Sequence, residues 1–293
     1  LVAFLAGIGL GSQAHGFAQS RRRGAGIASP SIAAFGITQI AIGLSALAVT
    51  VLMRDLPSHA AGLQSLFLGR WASEFAARQA ASFAIAFSYM FVPAFFMGVA
   101  FPLAGALHAA QRGSRGGAAV GEVLTYNTIG AILGAAVSGF VLIYAFGIER
   151  SLQMLAVANL GIEVMAALST RNRVAGVRWA AAAGAVLLVA LAAFPEWGRV
   201  WNRKYFAIFR NNQRAAFDTP ERVRDALENT DVLYYAEGAN EIISVIRPRG
   251  ARQAFLVNGR PEATTSPMDV QCQRMLGHLP MLLHPNPRKV VVL

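Results

Sequence analysis

The sequence contains a single cysteine, Cys272, among its 293 residues. One thiol can neither close an intramolecular disulfide nor supply the paired thiolates of a structural zinc site. A disulfide-stapled fold and a thiol-ligated metal centre are therefore excluded, and no metal site is expected. Cys272 falls on the apolar side of a predicted helix, where a cysteine is most simply a small packing residue.

Charged residues are also scarce. They make up 14% of the chain, whereas hydrophobic residues make up 55%. The apolar residues are concentrated in residues 1–195, in long runs with almost no charge, while residues 196–293 have an ordinary soluble composition. This division predicts a multi-span membrane domain followed by a soluble domain.

Acids are the scarcer charged type, with 15 Asp and Glu against 26 Lys and Arg, which gives a net charge of +11. A nucleic-acid-binding protein normally gathers such charge on one face. Here much of it lies in short loops between apolar runs, as in residues 21–23 and 171–173. Basic loops of this kind set the orientation of membrane helices. The sequence therefore favours a lipid bilayer as the partner and argues against nucleic acid.

The apolar runs predict five membrane-spanning helices within residues 31–194 and a sixth, partial one at residues 1–18. Each of the five is long enough for the ~30 Å hydrocarbon core. Residues 54–80 are mixed in character and predict an interfacial amphipathic helix. The five runs are residues 31–53, 81–110, 122–147, 151–170 and 174–194.

Small residues recur at four-residue spacing in two of the apolar runs. Gly7 and Gly11 form one pair, and Gly130, Gly134 and Ser138 form a longer stripe. Small side chains at this spacing let a neighbouring helix approach closely, although glycine is also common in membrane helices in general. Both patterns predict helix–helix contacts.

Two polar residues lie inside predicted spans. An intramembrane carboxylate such as Glu163 is a functional candidate by default. No second carboxylate, His or Lys lies at a matching depth, so a packing residue that faces the bundle is favoured over a proton relay. The amide of Asn127 is interpreted as a hydrogen-bonding contact between helices.

Residues 231–283 alternate short apolar runs with turn residues. The runs are rich in β-branched and aromatic side chains, and Gly, Pro and Asn separate them, including the dipeptide Asn258-Gly259. This pattern predicts antiparallel strands joined by tight turns. The runs are residues 232–235, 242–246 and 254–257.

A helix is predicted after these strands. Ser266 fits the N-cap, Pro267 the first helical position and Asp269 the acidic first turn. The residues that follow at helical spacing predict one apolar face. They are Met268, Cys272, Met275, Leu276, Leu279 and Leu283. A proline-rich turn stops the helix, and residues 290–293 are predicted to begin a strand buried on both faces.

Several stretches carry a resemblance to a known family: residues 232–235, 258–259, 273–283 and 290–293 in the soluble part, and residues 98–103 and 126–134 in the membrane part. The soluble stretches resemble the start of a spermidine synthase, a polyamine aminopropyltransferase. The membrane stretches resemble those of bacterial proteins that fuse a multi-span membrane region to a spermidine synthase-like domain.

The resemblance implies the fold. We expect an α-helical polytopic membrane domain, then a small antiparallel β domain with one helix, then the start of an α/β Rossmann-like domain. Residues 1–195 are assigned to the membrane helices and 196–230 to an interfacial segment with a short helix. Residues 231–283 are assigned to the β domain and 284–293 to the first Rossmann-like strand. We expect the sequence to be a piece of a longer protein that continues into the α/β domain.

The resemblance also suggests substrate-binding residues. Gln273 occupies the position at which spermidine synthases carry a polyamine-binding His, and Glu241 falls near a Gln that holds the nucleoside. Asp269 is an acid that could hold a cationic amine, or an ordinary helix N-terminal acid. The catalytic Asp of that family, which deprotonates the amine, is expected beyond Leu293, so no catalytic residue is assigned in this chain.

The expected function is that of a membrane-anchored aminopropyltransferase in polyamine biosynthesis. Its co-substrate would be decarboxylated S-adenosylmethionine, its acceptor a polyamine, and its location the bacterial inner membrane with the soluble domain on the cytoplasmic side. This chain by itself is expected to be inactive and to bind no co-substrate. The alternative is a transporter-like membrane protein whose soluble tail binds or regulates. Homo-oligomerisation is left open.

Overall fold

The computed structural model describes residues 1–24, 32–68, 70, 73–112, 116–169, 178, 184–185, 201–208 and 219–290. The chain divides into two compact units, Leu1–Trp201 and Asn202–Leu293. The boundary falls inside residues 196–230, which were predicted to form an interfacial segment with a short helix. Residues of that segment beyond Trp201 belong to the second unit.

The first unit is built of long helices. A 3₁₀ turn, Met53–Asp55, follows the second helix, and a π-helical turn, Ser138–Leu142, lies between the fifth and the sixth. The helices are α1 (Val2–Gly24), α2 (Ile32–Leu52), α3 (Leu56–Leu68), α4 (Glu74–Arg112), α5 (Gly116–Val137) and α6 (Ile143–Ser169).

Glycines on both helices let α1 pack closely along α4. A Cβ atom on Gly11 would overlap the backbone carbonyl of Phe95, and one on Gly98 would overlap the carbonyl of Ile8. A Cβ atom on Gly7 would also be too close to α4. The backbones are therefore in direct contact here, and the helix contact predicted from Gly7 and Gly11 is confirmed.

A proline inside α4 is compensated by α1. Pro102 has no N–H, so the carbonyl of Gly98, one turn earlier, lacks its usual helical donor. The hydroxyl of Ser12 on α1 donates to that carbonyl over 2.9 Å. A side chain of a neighbouring helix thus satisfies the backbone group that the proline leaves open.

A second close contact joins α2 to α6. Leu160 is 1% exposed, and a Cβ atom on Gly43 would lie 2.8 Å from its Cγ atom. One residue earlier, the side-chain amide of Asn159 donates to the backbone carbonyl of Gln39 over 2.6 Å. A missing side chain on α2 therefore makes room for a leucine and an amide of α6.

Trp201 ties the end of the first unit to its helices. Its backbone N–H donates to a carboxylate oxygen of Glu149 over 3.0 Å, and its indole N–H donates to the backbone carbonyl of Thr50 over 2.6 Å. Both Glu149 and Trp201 are buried. The segment that leaves the membrane unit is therefore fixed to α2 and α6 at the same point.

Within the described residues, three helical stretches are long and apolar enough to be candidate membrane spans: Ala34–Leu68, Glu74–Gln111 and Gly117–Ile162. They contain the predicted runs 81–110 and 122–147 in full and the run 31–53 from residue 34 onwards. A multi-span membrane domain is supported by these three stretches.

The structure tests only some of the predicted span boundaries. The predicted interfacial region 54–80 contains α3, which lies within the first candidate span. The predicted boundary between runs 122–147 and 151–170 coincides with a break at Gly147, whose φ of 81° and ψ of 172° are not helical. Most of residues 174–194 lie outside the described residues, so the count of five spans and a partial sixth stays a prediction.

The second unit contains a four-stranded antiparallel sheet in the order β1-β2-β3-β4, which confirms the predicted small β domain. Its buried face carries Ser244 and Ile246 of the second strand and Leu256 of the third. The fourth strand is polar and was not predicted; it pairs through the hairpin at Asn258. The strands are β1 (Thr230–Glu237), β2 (Ile242–Pro248), β3 (Ala254–Val257) and β4 (Arg260–Thr264).

Two short helices precede the sheet in the sequence, α7 (Arg203–Ile208) and α8 (Pro220–Glu228). The hydroxyl of Ser244, which is fully buried, donates to the carbonyl of Ala207 over 2.8 Å and ties α7 to β2. The hydroxyl of Thr219 caps α8 by accepting from the third residue of that helix. The segment predicted as a linker is thus part of the packed unit.

The last helix, α9 (Pro267–Leu283), begins and ends as the sequence predicts. Its N-cap is Ser266, whose hydroxyl accepts from the N–H of Asp269 over 3.3 Å. Val290 is described but lies in no strand, and residues 291–293 lie outside the described residues. The start of a Rossmann-like sheet is therefore not shown.

Replacing Gly11 with alanine is expected to lower the stability of the first unit by about 1–3 kcal/mol, the usual effect of overpacking. The added methyl group meets backbone of α4, which cannot rotate away. Thermal unfolding of the detergent-solubilised chain measures the effect. Gly9→Ala is the matched control, because a Cβ atom there meets nothing within 4 Å. Equal melting midpoints for the two variants would contradict the close contact.

Candidate functional site

One end of the sheet carries the β3–β4 turn and Glu241. Asn258 and Gly259 have φ values of 50° and 73°, as a two-residue hairpin turn requires. The side-chain oxygen of Asn258 accepts from the N–H of Ile242 over 2.8 Å, and its own N–H donates to the carbonyl of Ile242 over 2.8 Å. Glu241 directly precedes this doubly bonded residue, and it is exposed.

Asp269 lies at the opposite end of the sheet, where β4 leads into α9. Its carboxylate accepts from the backbone N–H of Thr264, and the hydroxyl of Thr264 donates to that of Ser266. These bonds join the end of the strand to the start of the helix. The carboxylate of Asp269 therefore helps to join β4 to α9, and its assignment to a substrate stays a prediction.

The three predicted substrate-binding residues are only partly brought together. Gln273 is exposed and lies one helical turn after Asp269 on α9. Glu241 directly precedes Ile242 of β2. Thr264, whose N–H donates to Asp269, pairs with Ala254 of β3, and Ala254 pairs with Ile246 of β2. Four residues of strand, about 13 Å, separate those levels. The assignment of these residues to a substrate stays a prediction, and the described geometry gives them no common pocket.

A cluster that the sequence did not reveal lies beside Glu241. The guanidinium of Arg203 lies 5.8 Å from the centre of the Tyr235 ring, and the Tyr235 hydroxyl donates to a carboxylate oxygen of Glu237 over 2.6 Å. Glu237 pairs with Ile242 across the sheet, so the cluster belongs to the same end. Alternation along β1 could have predicted that Tyr235 and Glu237 share a face, but no local signal pointed to Arg203.

The predicted apolar face of α9 is present but uncovered by the described residues. Cys272 is exposed as well, so the packing role predicted for it is not fulfilled among the described residues. An open cavity of about 440 Å³ adjoins the end of the helix, between Pro280 and Val290. The large apolar side chains exposed on α9 are Met268, Met275, Leu276, Leu279, Met281, Leu282 and Leu283.

Side-chain hydrogen bonds also join different helices of the membrane unit. The imidazole of His108 on α4 hydrogen-bonds a carboxylate oxygen of Glu122 on α5 over 2.6 Å. The hydroxyl of Tyr89 donates to the carbonyl of Leu52 over 3.0 Å and meets the Nδ1 atom of His59 at 2.7 Å. None of these contacts was predicted from the sequence.

Two site predictions remain without a structural answer. The side chain of Glu163 lies outside the part of the chain that the structure describes. Within the described part, no three His, Cys, Asp or Glu residues form a group that could hold a metal ion.

Comparison of the chain with protein-family models, curated proteins and solved structures gives no match.

Replacing Asp269 with alanine is expected to destabilise the second unit by roughly 1.5–3 kcal/mol, because the N–H of Thr264 loses a charged acceptor. Amide hydrogen exchange at the β4–α9 junction of the solubilised chain measures the loss. The exposed Glu241→Ala is the control, with an expected change within about 0.5 kcal/mol. Unchanged exchange in Asp269→Ala would contradict the structural role of this carboxylate.

Proposed function

We propose that the protein is a membrane-anchored aminopropyltransferase of the spermidine synthase type, acting in polyamine biosynthesis. The observation that carries this proposal is the architecture of the second unit. Among the soluble residues that carry the resemblance, 232–235 lie in β1, 258–259 in the turn between β3 and β4, and 273–283 in α9, so they belong to one unit with a four-stranded antiparallel sheet and a capped helix. A small β domain with one helix, ahead of the catalytic domain, is what the resemblance implies.

The proposed reaction joins an amine to the propyl group of decarboxylated S-adenosylmethionine. The neutral amine attacks the propyl carbon next to the sulfonium, so that a C–N bond forms as the C–S bond breaks. The electron pair of the C–S bond stays on sulfur, which leaves as a neutral thioether, and a carboxylate accepts the amine proton. We assign that carboxylate to the α/β domain expected after Leu293, and to neither Glu241 nor Asp269.

The second unit would then contribute to binding the cationic acceptor. Glu237 and Glu241 lie at one end of the sheet, and carboxylates attract ammonium groups. The ring of Tyr235 at the same end already faces the guanidinium of Arg203. Gln273 lies apart from them on α9. In this proposal the sheet end and α9 form separate walls, and the α/β domain closes the pocket between them.

The uncovered face of α9 is the surface to which we assign the α/β domain. Its apolar side chains are exposed over the length of the helix, from Met268 to Leu283. A helix with a wide apolar stripe gains most of its stability by burying that stripe. The proposed domain would follow directly in the sequence, within reach of this face. The membrane unit would serve as the anchor.

A transporter-like protein with a soluble tail is the second candidate. The hydrogen-bonded pair of His108 and Glu122 favours it, because both residues lie in candidate spans and ionisable pairs at membrane depth are typical of transport pathways. The pair lies near the adjoining ends of α4 and α5, however, where it also ties these helices together. The aminopropyltransferase is therefore preferred.

The enzymatic proposal is tested with two purified proteins, residues 1–293 and a form extended through the α/β domain. The extended protein, given decarboxylated S-adenosylmethionine and a diamine or polyamine, is expected to release methylthioadenosine and an aminopropylated amine, detected by mass spectrometry. Residues 1–293 should release neither and should show no calorimetric binding of the co-substrate. Turnover by neither protein with any amine contradicts the proposal, and amine flux into vesicles would then favour the transporter.

The docking of the α/β domain on α9 has its own test. Cys272 is exposed on α9 and is the only cysteine in residues 1–293. It should react quickly with a soluble maleimide in residues 1–293 and at least tenfold more slowly in the extended protein, because burial blocks thiol access. As a control, Arg224→Cys in a Cys272→Ser background should react at one rate in both forms, because Arg224 is exposed on α8 and has no part in the proposed pocket. Equal rates at Cys272 would contradict docking on this face.

A further inference from the structure

Contacts between the helices of the membrane unit fix the direction in which each helix runs. Gly7 of α1 lies against Ala94 of α4, and the hydroxyl of Ser12 donates to the carbonyl of Gly98. Later residues of α1 therefore meet later residues of α4, so the two helices run parallel. At ~1.5 Å per residue, α1 and α4 finish at about the same level, which we call the far end of the membrane unit.

α2 runs back from the far end. Its last residue, Leu52, accepts from the hydroxyl of Tyr89 on α4. Residues 25–31 join Gly24, the end of α1, to Ile32, the start of α2, and such a connection reaches at most ~28 Å. If α2 ran parallel to α4, its start would lie roughly 60 Å from Gly24. α2 therefore starts at the far end and finishes about 31 Å away, at what we call the exit end.

Trp201, the last residue of the membrane unit, lies at the exit end. Its indole N–H donates to the carbonyl of Thr50, near the end of α2, and its backbone N–H donates to Glu149, near the start of α6. Further along α6, Asn159 bonds Gln39, which is nearer the start of α2. α6 therefore runs from the exit end to the far end.

The chain returns across the membrane after α6. The last residue of α6, Ser169, lies about 15 Å past Asn159 towards the far end. Trp201 lies at the exit end, and Asn202 begins the soluble unit. The residues between Ser169 and Trp201, most of which lie outside the described part of the chain, thus connect the two ends, and the chain leaves the membrane unit at the exit end.

A helical hairpin of α3 and the first part of α4 extends past the exit end. α4 has 39 residues, about 58 Å, whereas the hydrocarbon core is ~30 Å thick. Its first residue, Glu74, lies about 22 Å beyond Tyr89. This part of α4 packs against α3, and the hairpin carries Arg70 and Arg78 as well as Glu74. Charged side chains are costly in hydrocarbon, so the hairpin belongs outside the core.

We propose that the soluble unit and the α3–α4 hairpin lie on one side of the membrane, the cytoplasmic side, whereas the end of α1 and the start of α5 lie on the other. The shared side follows from the helix directions, and its assignment to the cytoplasm rests on the proposed function. Charge does not choose the orientation, because basic residues lie near both ends, at 21–23 and at 199–204.

Labelling of residues 1–293 in spheroplasts with a membrane-impermeant maleimide tests this arrangement. Cys272, exposed on α9, reports the soluble unit without any substitution. Arg70→Cys, Gly24→Cys and Gly117→Cys, each in a Cys272→Ser background, report the hairpin, the end of α1 and the start of α5. All these positions are exposed, and a Cβ atom on either glycine meets nothing within 4 Å.

Positions 24 and 117 should react in intact spheroplasts. Positions 70 and 272 should react at least tenfold faster once the membrane is permeabilised, because the reagent then reaches the cytoplasmic side. Melting curves of the purified variants, compared with that of Cys272→Ser, verify that each one folds.

Reaction of Cys272 from the same side as positions 24 and 117 would overturn the proposal, and so would reaction of positions 70 and 272 from opposite sides. Reaction of positions 70 and 272 alone in intact spheroplasts would support the shared side and contradict its assignment to the cytoplasm. The labelling pattern does not depend on catalysis. A failure of the extended protein to transfer aminopropyl groups would therefore contradict the proposed function alone.

Discussion

The membrane unit depends on backbone contact between α1 and α4. At Gly11 and Gly98 neither helix has a side chain, so carbonyl groups of one helix lie against the Cα atoms of the other. Because the two backbones lie this close together, the hydroxyl of Ser12 reaches the carbonyl of Gly98, which Pro102 leaves without a helical donor. α4 also contacts α2, α3 and α5, so its position governs most of the unit. A larger residue at the crossing would therefore disturb the packing and a hydrogen bond together.

Polar groups show how completely the described helices are packed. The amide of Asn159 and the indole of Trp201 each reach a backbone carbonyl of α2, and both bonds are 2.6 Å long. These donors are satisfied because α2 and α6 are in contact. Asn127 has the same amide as Asn159 and lacks a partner among the described residues. The difference lies in the surroundings of the two helices, since α6 has a described neighbour at that point and α5 has none in the part of the chain that the structure describes.

Interactions between residues close in sequence could be predicted, whereas those between distant residues could not. The cap of α9 at Ser266 and the turn at Asn258 depend on neighbours within a few residues, and both predictions are confirmed. The contact of Arg203 with Tyr235 joins residues 32 positions apart and has no local signal. Strand β4 has Arg260, Glu262 and Thr264 on one face and only Pro261 and Ala263 on the other. It carries no large apolar side chain that would predict a strand, and it pairs with β3 through the hairpin. The three predicted substrate-binding residues came from the resemblance, and the sheet register separates Glu241 from the other two.

Residue spacing predicts which face of a helix can be buried, but it does not say what buries it. Gly7 and Gly11 have the same spacing as Gly130 and Gly134, yet only the first pair meets a described helix. The apolar stripe of α9 likewise predicted the helix and its face correctly, while the face itself is exposed. The helix is held to the sheet at its N-terminal end, through Asp269 and Ser266. Isolated helices of this length are marginal in water, so the rest of α9 draws its stability from whatever covers the stripe. The junction at β4 fixes where α9 starts, and the partner of its apolar face determines how firmly the remaining turns are held.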